Sequence, residues 1–163
     1  MTVQELFDDP RLTVAGLLFE AHSGLLAKLE PTWNAHGLSG LDLNALMRLS
    51  RSPGHRLRMS DLAAQTELST SGVTRLVDRL AKAGLVERRL DPADRRSAYA
   101  ALTDAGAHRL EQVLPDYLAA LDRWLTGLLT PTQLDGLITA LRVLRDVTNP
   151  TATALADTPH LDR

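Results

Sequence analysis

The chain has 163 residues, 44% apolar and 23% charged, enough for one globular domain or for a small domain with helical arms. Its uncharged apolar stretches fall short of the roughly 20 residues a bilayer span needs, and residues 1–10 carry acids with no basic patch ahead of an apolar core, so neither membrane insertion nor secretion is expected and a cytoplasmic address is. Cysteine is absent, which excludes disulfides, Cys-ligated zinc, iron–sulfur clusters and thiol redox sensing.

The net charge of −2 hides a segregation of sign. The stretch from Arg48 to Arg96 holds eleven Lys or Arg against six Asp or Glu, a net of +5, and the rest holds seven basic and fourteen acidic side chains, a net of −7. One segment is therefore a candidate polyanion surface. Clustering on a solvated face would look the same by charge alone, so local architecture has to decide.

In chain order, Leu12 to Leu29 is apolar on nearly every side, as in a helix enclosed by other helices. Pro31 is expected to end or kink it, with Gly37 as a left-handed stop, before Ser39 to Asp42 start a second helix running through Leu49. Pro53 and Gly54 close that helix. Ser60 is the expected N-cap of a short helix to about Thr66, and Ser69 to Ser71 cap another that runs to Ala83, with Gly84 at C′. Two short helices joined by a tight turn outline a helix-turn-helix.

Beyond Gly84, Leu85 to Leu90 and Ala98 to Leu102 are short runs able to pair, which predicts a β-hairpin with a basic tip. Thr103 and Asp104 open a long helix whose apolar residues Leu110, Leu114, Tyr117, Leu121, Trp124 and Leu128 repeat at 4, 3, 4, 3, 4, the period of a helix packed along another helix. Pro115 should bend it. Thr130, Pro131 and Gln133 form a capping-box signature for a final helix to about Val147, and a frayed tail is expected from Asn149 to Arg163.

The second helix of the pair carries the chemistry. At about 100° per residue, Val73, Leu76, Val77 and Leu80 share one side, while Ser71, Arg75, Asp78 and Lys82 lie opposite, flanked by Thr74 and Arg79. Short hydroxyls at the N-terminal end and cations beyond suit the major groove, where an arginine reaches guanine O6/N7 or a phosphate. An ordinary amphipathic surface helix would carry the same residues. The hairpin decides between them: adjacent arginines on a projecting turn repel one another unless Asp94 or a polyanion compensates, and a narrow minor groove is the natural acceptor. Helix-turn-helix plus basic hairpin is a winged helix.

The run Val73-Thr74-Arg75-Leu76-Val77-Asp78-Arg79-Leu80, then Gly84-Leu85-Val86, Asp94-Arg95-Arg96 and Leu102-Thr103-Asp104-Ala105-Gly106, resembles the signature of the multiple-antibiotic-resistance regulator (MarR) family, with flanking helices that extend the resemblance from about residue 12 to 147. The resemblance implies a winged-helix homodimer whose first and last helices intertwine. That role would fall on Leu18, Leu25, Leu114, Leu121, Trp124, Leu128, Leu137 and Leu141. It further implies that Asp94 orients the wing, that Arg96 with Arg95 enters the minor groove, and that Ser69, Thr70, Ser71, Thr74, Arg75 and Arg79 face double-stranded DNA. Many members are repressors released by small aromatic or anionic effectors, for which His22, Trp33, His36, Asp42 and Arg56 are the candidates here. Each has an alternative role: Trp33 as a core or interface aromatic, Asp42 as a helix-start acid, the histidines as incidental surface groups.

Enzymatic signatures are missing. No G-x-S-x-G elbow, phosphate-cradling Gly-rich loop or H-E-x-x-H occurs, and no two of the five histidines sit at metal-ligand spacing, so no catalytic residue, metal or cofactor is expected. The expected architecture is mainly α with a small β-hairpin wing: an N-terminal arm and dimerisation helix (1–36), a winged helix-turn-helix (37–102), C-terminal dimerisation helices (103–148) and a flexible tail (149–163). The expected function is a DNA-binding regulator, most simply a repressor acting at a pseudo-palindromic operator. The alternative is a winged-helix protein-interaction module whose wing arginines meet an acidic partner.

Overall fold

Capping chemistry sets most of the boundaries in the structure, a computed structural model that describes residues 6–90 and 98–149. Asp94, Arg95 and Arg96 lie outside the described residues, as does the tail beyond Asn149. Asp9 accepts from the Arg11 N–H at 2.9 Å and Pro10 occupies the first turn, so α1 runs Pro10–Ala35. It does not end at Pro31. Proline removes one backbone donor there, and Leu29 and Trp33 on either side are buried in the core, which holds the helix past the lost bond. The stop comes at Gly37 (φ +69°), whose N–H donates to the Asn34 carbonyl while Leu38 N–H donates to that of Trp33, a Schellman closure.

Ser39 and Asp42 form a capping box that starts α2, Gly40–Arg51. A 3₁₀ turn, Pro53–His55, follows, with two consecutive left-handed residues, Gly54 (φ +63°) and His55 (φ +53°). It leads into β1, Arg56–Arg58, a strand the hydropathy pattern does not announce. Next, α3 spans Met59–Gln65 and begins directly from that strand, so Ser60 lies inside the first turn and Arg58 takes the cap position, without a side-chain cap bond. Ser69 caps α4, Thr70–Lys82, by accepting from Gly72 N–H at 3.1 Å, and Gly84 (φ +73°) follows its end.

β2 (Val86–Leu90) and β3 (Ala98–Leu102) pair antiparallel as expected, but the sheet has three strands in the order β1-β3-β2. The Thr103 hydroxyl donates to the Gly84 carbonyl at 2.7 Å, clasping the base of the hairpin, and accepts from Gly106 N–H to cap α5, Asp104–Trp124. α5 continues through Pro115 and stops at Leu125 (φ −139°, ψ −75°), short of the Leu128 that the heptad spacing includes. A 3₁₀ turn, Thr126–Leu128, replaces its last turn. Gly127 permits it, because a Cβ there would lie 2.6 Å from the Asp122 carbonyl oxygen. α6, Pro131–Thr148, starts from the Thr130/Gln133 capping box.

The core lies within the winged lobe. Leu43, Leu46 and Leu49 of α2, Leu62 of α3, Val73 and Val77 of α4, Val86 of β2 and Val113 of α5 are almost fully inaccessible. At Gly106, α5 crosses the end of the hairpin so closely that a Cβ would meet the Leu85 carbonyl oxygen at 2.1 Å. α1 packs along α5, and Leu25, Leu114 and Leu121 pack against the core of their own chain. At 26 residues α1 is long and apolar enough to pass a length-and-composition test for a bilayer span, contrary to the sequence expectation. It carries Arg11, Glu20, Lys28 and Glu30 along its length and inserts Leu29 and Trp33 into the core.

Candidate nucleic-acid interface

The fold builds α4 as the amphipathic sequence demands. Val73, Leu76, Val77 and Leu80 are buried, which turns Ser71, Arg75, Asp78 and Lys82 to solvent. The hydroxyls divide into two kinds. Ser69 Oγ is committed to the cap and lies 3.2 Å from Ser71 Oγ, and Thr74, half-buried, donates to the Thr70 carbonyl at 2.8 Å. Thr70, Ser71 and Arg75 are the exposed residues nearest the helix N-terminus, the end that reads bases in helix-turn-helix proteins.

Arg79 has a different partner from the one its charge suggests. Its Nη2 lies 2.6 Å and its Nε 3.2 Å from Asp42 Oδ1, across from α4 to α2. Burial opposes ionisation of Asp42. The hydroxyl and N–H of Ser39, at 2.7 and 2.9 Å, and the Arg79 guanidinium together outweigh it and hold the carboxyl below its ordinary range. Arg79 thus ties α4 to α2, and Asp42 is engaged by the capping box and this pair.

Three of the other four effector candidates are likewise engaged, and the four do not form one site. Trp33 is buried, 6.2 Å from the Tyr117 ring centroid and against Gly40, so it is a core aromatic. His36 sits at the end of α1 with Nε2 2.8 Å from Asp116 Oδ2, while its carbonyl accepts from Arg109 at 2.8 Å. His22 is exposed on α1. Arg56 belongs to β1, and its guanidinium lies 5.2 Å from the Tyr99 ring centroid. A crevice of about 250 Å³ does open between α2, the 52–55 turn and α5, and none of the five lines it.

The sheet adds cations that the sequence reading passed over. In register, Arg58 pairs with Tyr99 and Tyr99 with Arg89, so these side chains share one face. Arg58 Nε donates to the Tyr99 hydroxyl at 3.1 Å, and Arg88 and Arg89 are exposed, Arg89 in contact with Glu87. The alternation Arg56-Leu57-Arg58 was the available signal. The root of the wing is therefore basic on the same segment as α4.

Away from this lobe the surface is apolar. Leu12, Val14, Leu17, Leu18 and Phe19 of α1 and Leu141, Val143, Leu144 and Val147 of α6 are all exposed, and α6 buries no residue within its own chain. Leu128 is exposed, Leu137 is half-buried, and Trp124 is half-buried beneath the Lys28 ammonium at 4.8 Å.

A MarR family profile matches residues 36–97. Over 104 residues the chain is 33% identical to the transcriptional repressor YetL of Bacillus subtilis, covering 64% of this chain and 62% of YetL, so it spans less than two thirds of that repressor's length. Its fold is similar to that of AbsC, a MarR family transcriptional regulator from Streptomyces coelicolor, with a TM-score of 0.79 and 33% identity over 85% of this chain and 93% of AbsC. Sco3205, another MarR family regulator from that organism, whose structure was solved in complex with DNA, gives a TM-score of 0.78 and 29% identity over 90% of this chain and 89% of its own.

Proposed function

The chain belongs to the MarR family of transcriptional regulators, and from that premise we propose that it acts as a homodimer that binds a near-palindromic operator in double-stranded DNA and represses from it. The family is one of regulators rather than enzymes. The observation that carries the reading is α4, with an inaccessible apolar side and an exposed edge of Thr70, Ser71 and Arg75. That edge would enter the major groove while Arg58, Arg88 and Arg89 at the wing root approach phosphates and Arg95 and Arg96, oriented by Asp94, reach the minor groove.

The homodimer rests on the outer faces of α1 and α6. Ten large apolar side chains exposed along two helices of one protomer are more than monomers ordinarily leave in water. Pairing them would set two reading heads about one helical turn apart, roughly 10 base pairs. Such a regulator works on DNA in the cytoplasm. An effector that lowered DNA affinity a hundredfold would need roughly 3 kcal/mol of preference for the non-binding arrangement.

Titration of a fluorescent duplex from the gene's own upstream region tests the reading. Nanomolar binding with a steep salt slope is expected, and a scrambled duplex should bind far more weakly. Equal, weak affinity for every duplex would overturn it in favour of a protein-interaction module.

A further inference from the structure

The turn between α3 and α4 closes α3 by the device that closes α1 and α4, with one difference. At the ends of α1 and α4 the left-handed position is glycine, Gly37 and Gly84. In the turn it is Glu67 (φ +56°). Its N–H donates to the Ala64 carbonyl at 3.4 Å and Leu68 N–H to that of Ala63 at 2.9 Å, the two bonds of a Schellman closure, while the Thr66 hydroxyl donates to the Leu62 carbonyl at 2.6 Å. A residue with a Cβ is costly in this conformation and persists where its surroundings hold it, which directs attention to its side chain.

That side chain reaches the arm. Asn149 Nδ2 donates to Glu67 Oε1 at 2.6 Å, across 82 positions of chain. Asn149 is the C-cap of α6, its own N–H donating to the Arg145 carbonyl at 2.7 Å, so the helix that buries none of its side chains in its own protomer is fastened at its end to the helix-turn-helix. Burial pulls Arg48 of α2 below its ordinary range, and the Glu67 carboxylate opposes this by attracting its guanidinium, whose Nε donates to Asn44 Oδ1 at 2.8 Å. Glu67 thus faces α2 and α6 at once.

The arms meet the lobe at opposite ends of α4. α5 crosses at Gly106 beside Leu85, three residues beyond the end of α4, and Glu67 lies three residues before its start. The 13 residues of α4 between them span about 20 Å. A body seated at one point can turn about it, and a second fastening at that distance fixes the angle.

We propose that Asn149 and Glu67 are positioning residues for DNA recognition: their hydrogen bond fastens the end of α6 to the helix-turn-helix and sets the angle at which α4 meets the major groove. The inference rests on the function proposed above and adds to it the residues that hold the two lobes of the dimer at the spacing of the operator. Neither residue needs to touch DNA.

Asn149→Ala removes the donor without a change of charge. Titrated against the upstream duplex, the full chain carrying it should bind about threefold to tenfold more weakly than wild type with the melting temperature unchanged, the cost of one hydrogen bond. Spacing is the decisive readout. On a second duplex with one base pair inserted at the centre of the footprinted site, wild type should lose most of its affinity, whereas Asn149→Ala and Glu67→Gly should each discriminate between the two duplexes severalfold less. Comparing two duplexes with one protein cancels the charge that Glu67→Gly removes. Glu67→Gly should leave the melting temperature equal or higher, because glycine is at ease in the left-handed region, and Glu67→Gln, which keeps an acceptor for Asn149, should retain the wild-type discrimination. A turn residue with a structural role alone would lower the melting temperature and both affinities together. A spacing preference untouched by Asn149→Ala, or a melting temperature that falls with Glu67→Gly, would overturn this proposal and leave the regulator reading standing. Equal binding of every duplex by the wild type would overturn both.

Discussion

The winged lobe and the helical arms use similar residues to opposite ends. In the lobe, Leu46, Leu49, Leu62 and Val77 are fully enclosed by their own chain. On the arms, Phe19 is 67% exposed and Val147 79%, and α6 buries nothing. A leucine-rich helix is no guide to where a core lies. The lobe closes its core alone, while the arms leave their apolar faces open, to be covered by a second copy in the proposed dimer.

Substitutions can break this contrast. Leu46→Ala, in the lobe, should lower unfolding stability by about 2–5 kcal/mol in urea denaturation, because it removes a buried side chain and leaves a void. Phe19→Ala should leave the fold intact and weaken self-association by about 1.5–3 kcal/mol, read by light scattering across a dilution series. If dimerisation were indifferent to it, the outer face of α1 would not be the interface. Leu121→Ala, by contrast, packs within its own protomer and should lower stability before it touches assembly.

Two finer changes act on the lobe's reading edge. Arg75→Ala should cost about 1–3 kcal/mol of operator affinity with the melt unchanged, measured by the same duplex titration. Asp42→Asn should act on stability through pH. The Asp42 carboxyl is held below its ordinary value of 3.8, so its contribution is complete above that pH and is lost as pH falls through the lower folded value. Acid denaturation curves of the wild type and Asp42→Asn should therefore converge toward low pH and separate above about pH 4.

Most elements were legible because their ends carry local chemistry: Ser39 with Asp42, Ser69, Thr103, and Thr130 with Gln133 each close a turn using residues within three positions. What escaped depends on distant partners. β1 is three residues with one apolar side chain, and it is a strand only because β3 lies beside it. α1 passes Pro31 because Leu29 and Trp33 are anchored from outside the helix. The heptad stripe ran on past Trp124 because leucines serve a 3₁₀ turn as well as a helix. At the site, the Ser71–Arg75 edge followed from helical period alone. The pairing of Arg79 with Asp42 joins residues 37 apart and has no signature along the chain. The same is true of Trp33, His36 and Arg56, whose neighbours set their roles.

Gly106 fixes how the two regions can move. With the Leu85 carbonyl oxygen standing where a side chain would begin, α5 and the winged lobe meet backbone to backbone, and sliding α5 lengthwise by a turn would bring Arg109 or Leu110, which share that face, against the oxygen. Translation is thereby blocked, and swivel about this one seat is the freedom left. In the proposed dimer, a small angular change at such a pivot would be magnified by the length of the lever, and the spacing of the two lobes on a duplex would change without any helix breaking.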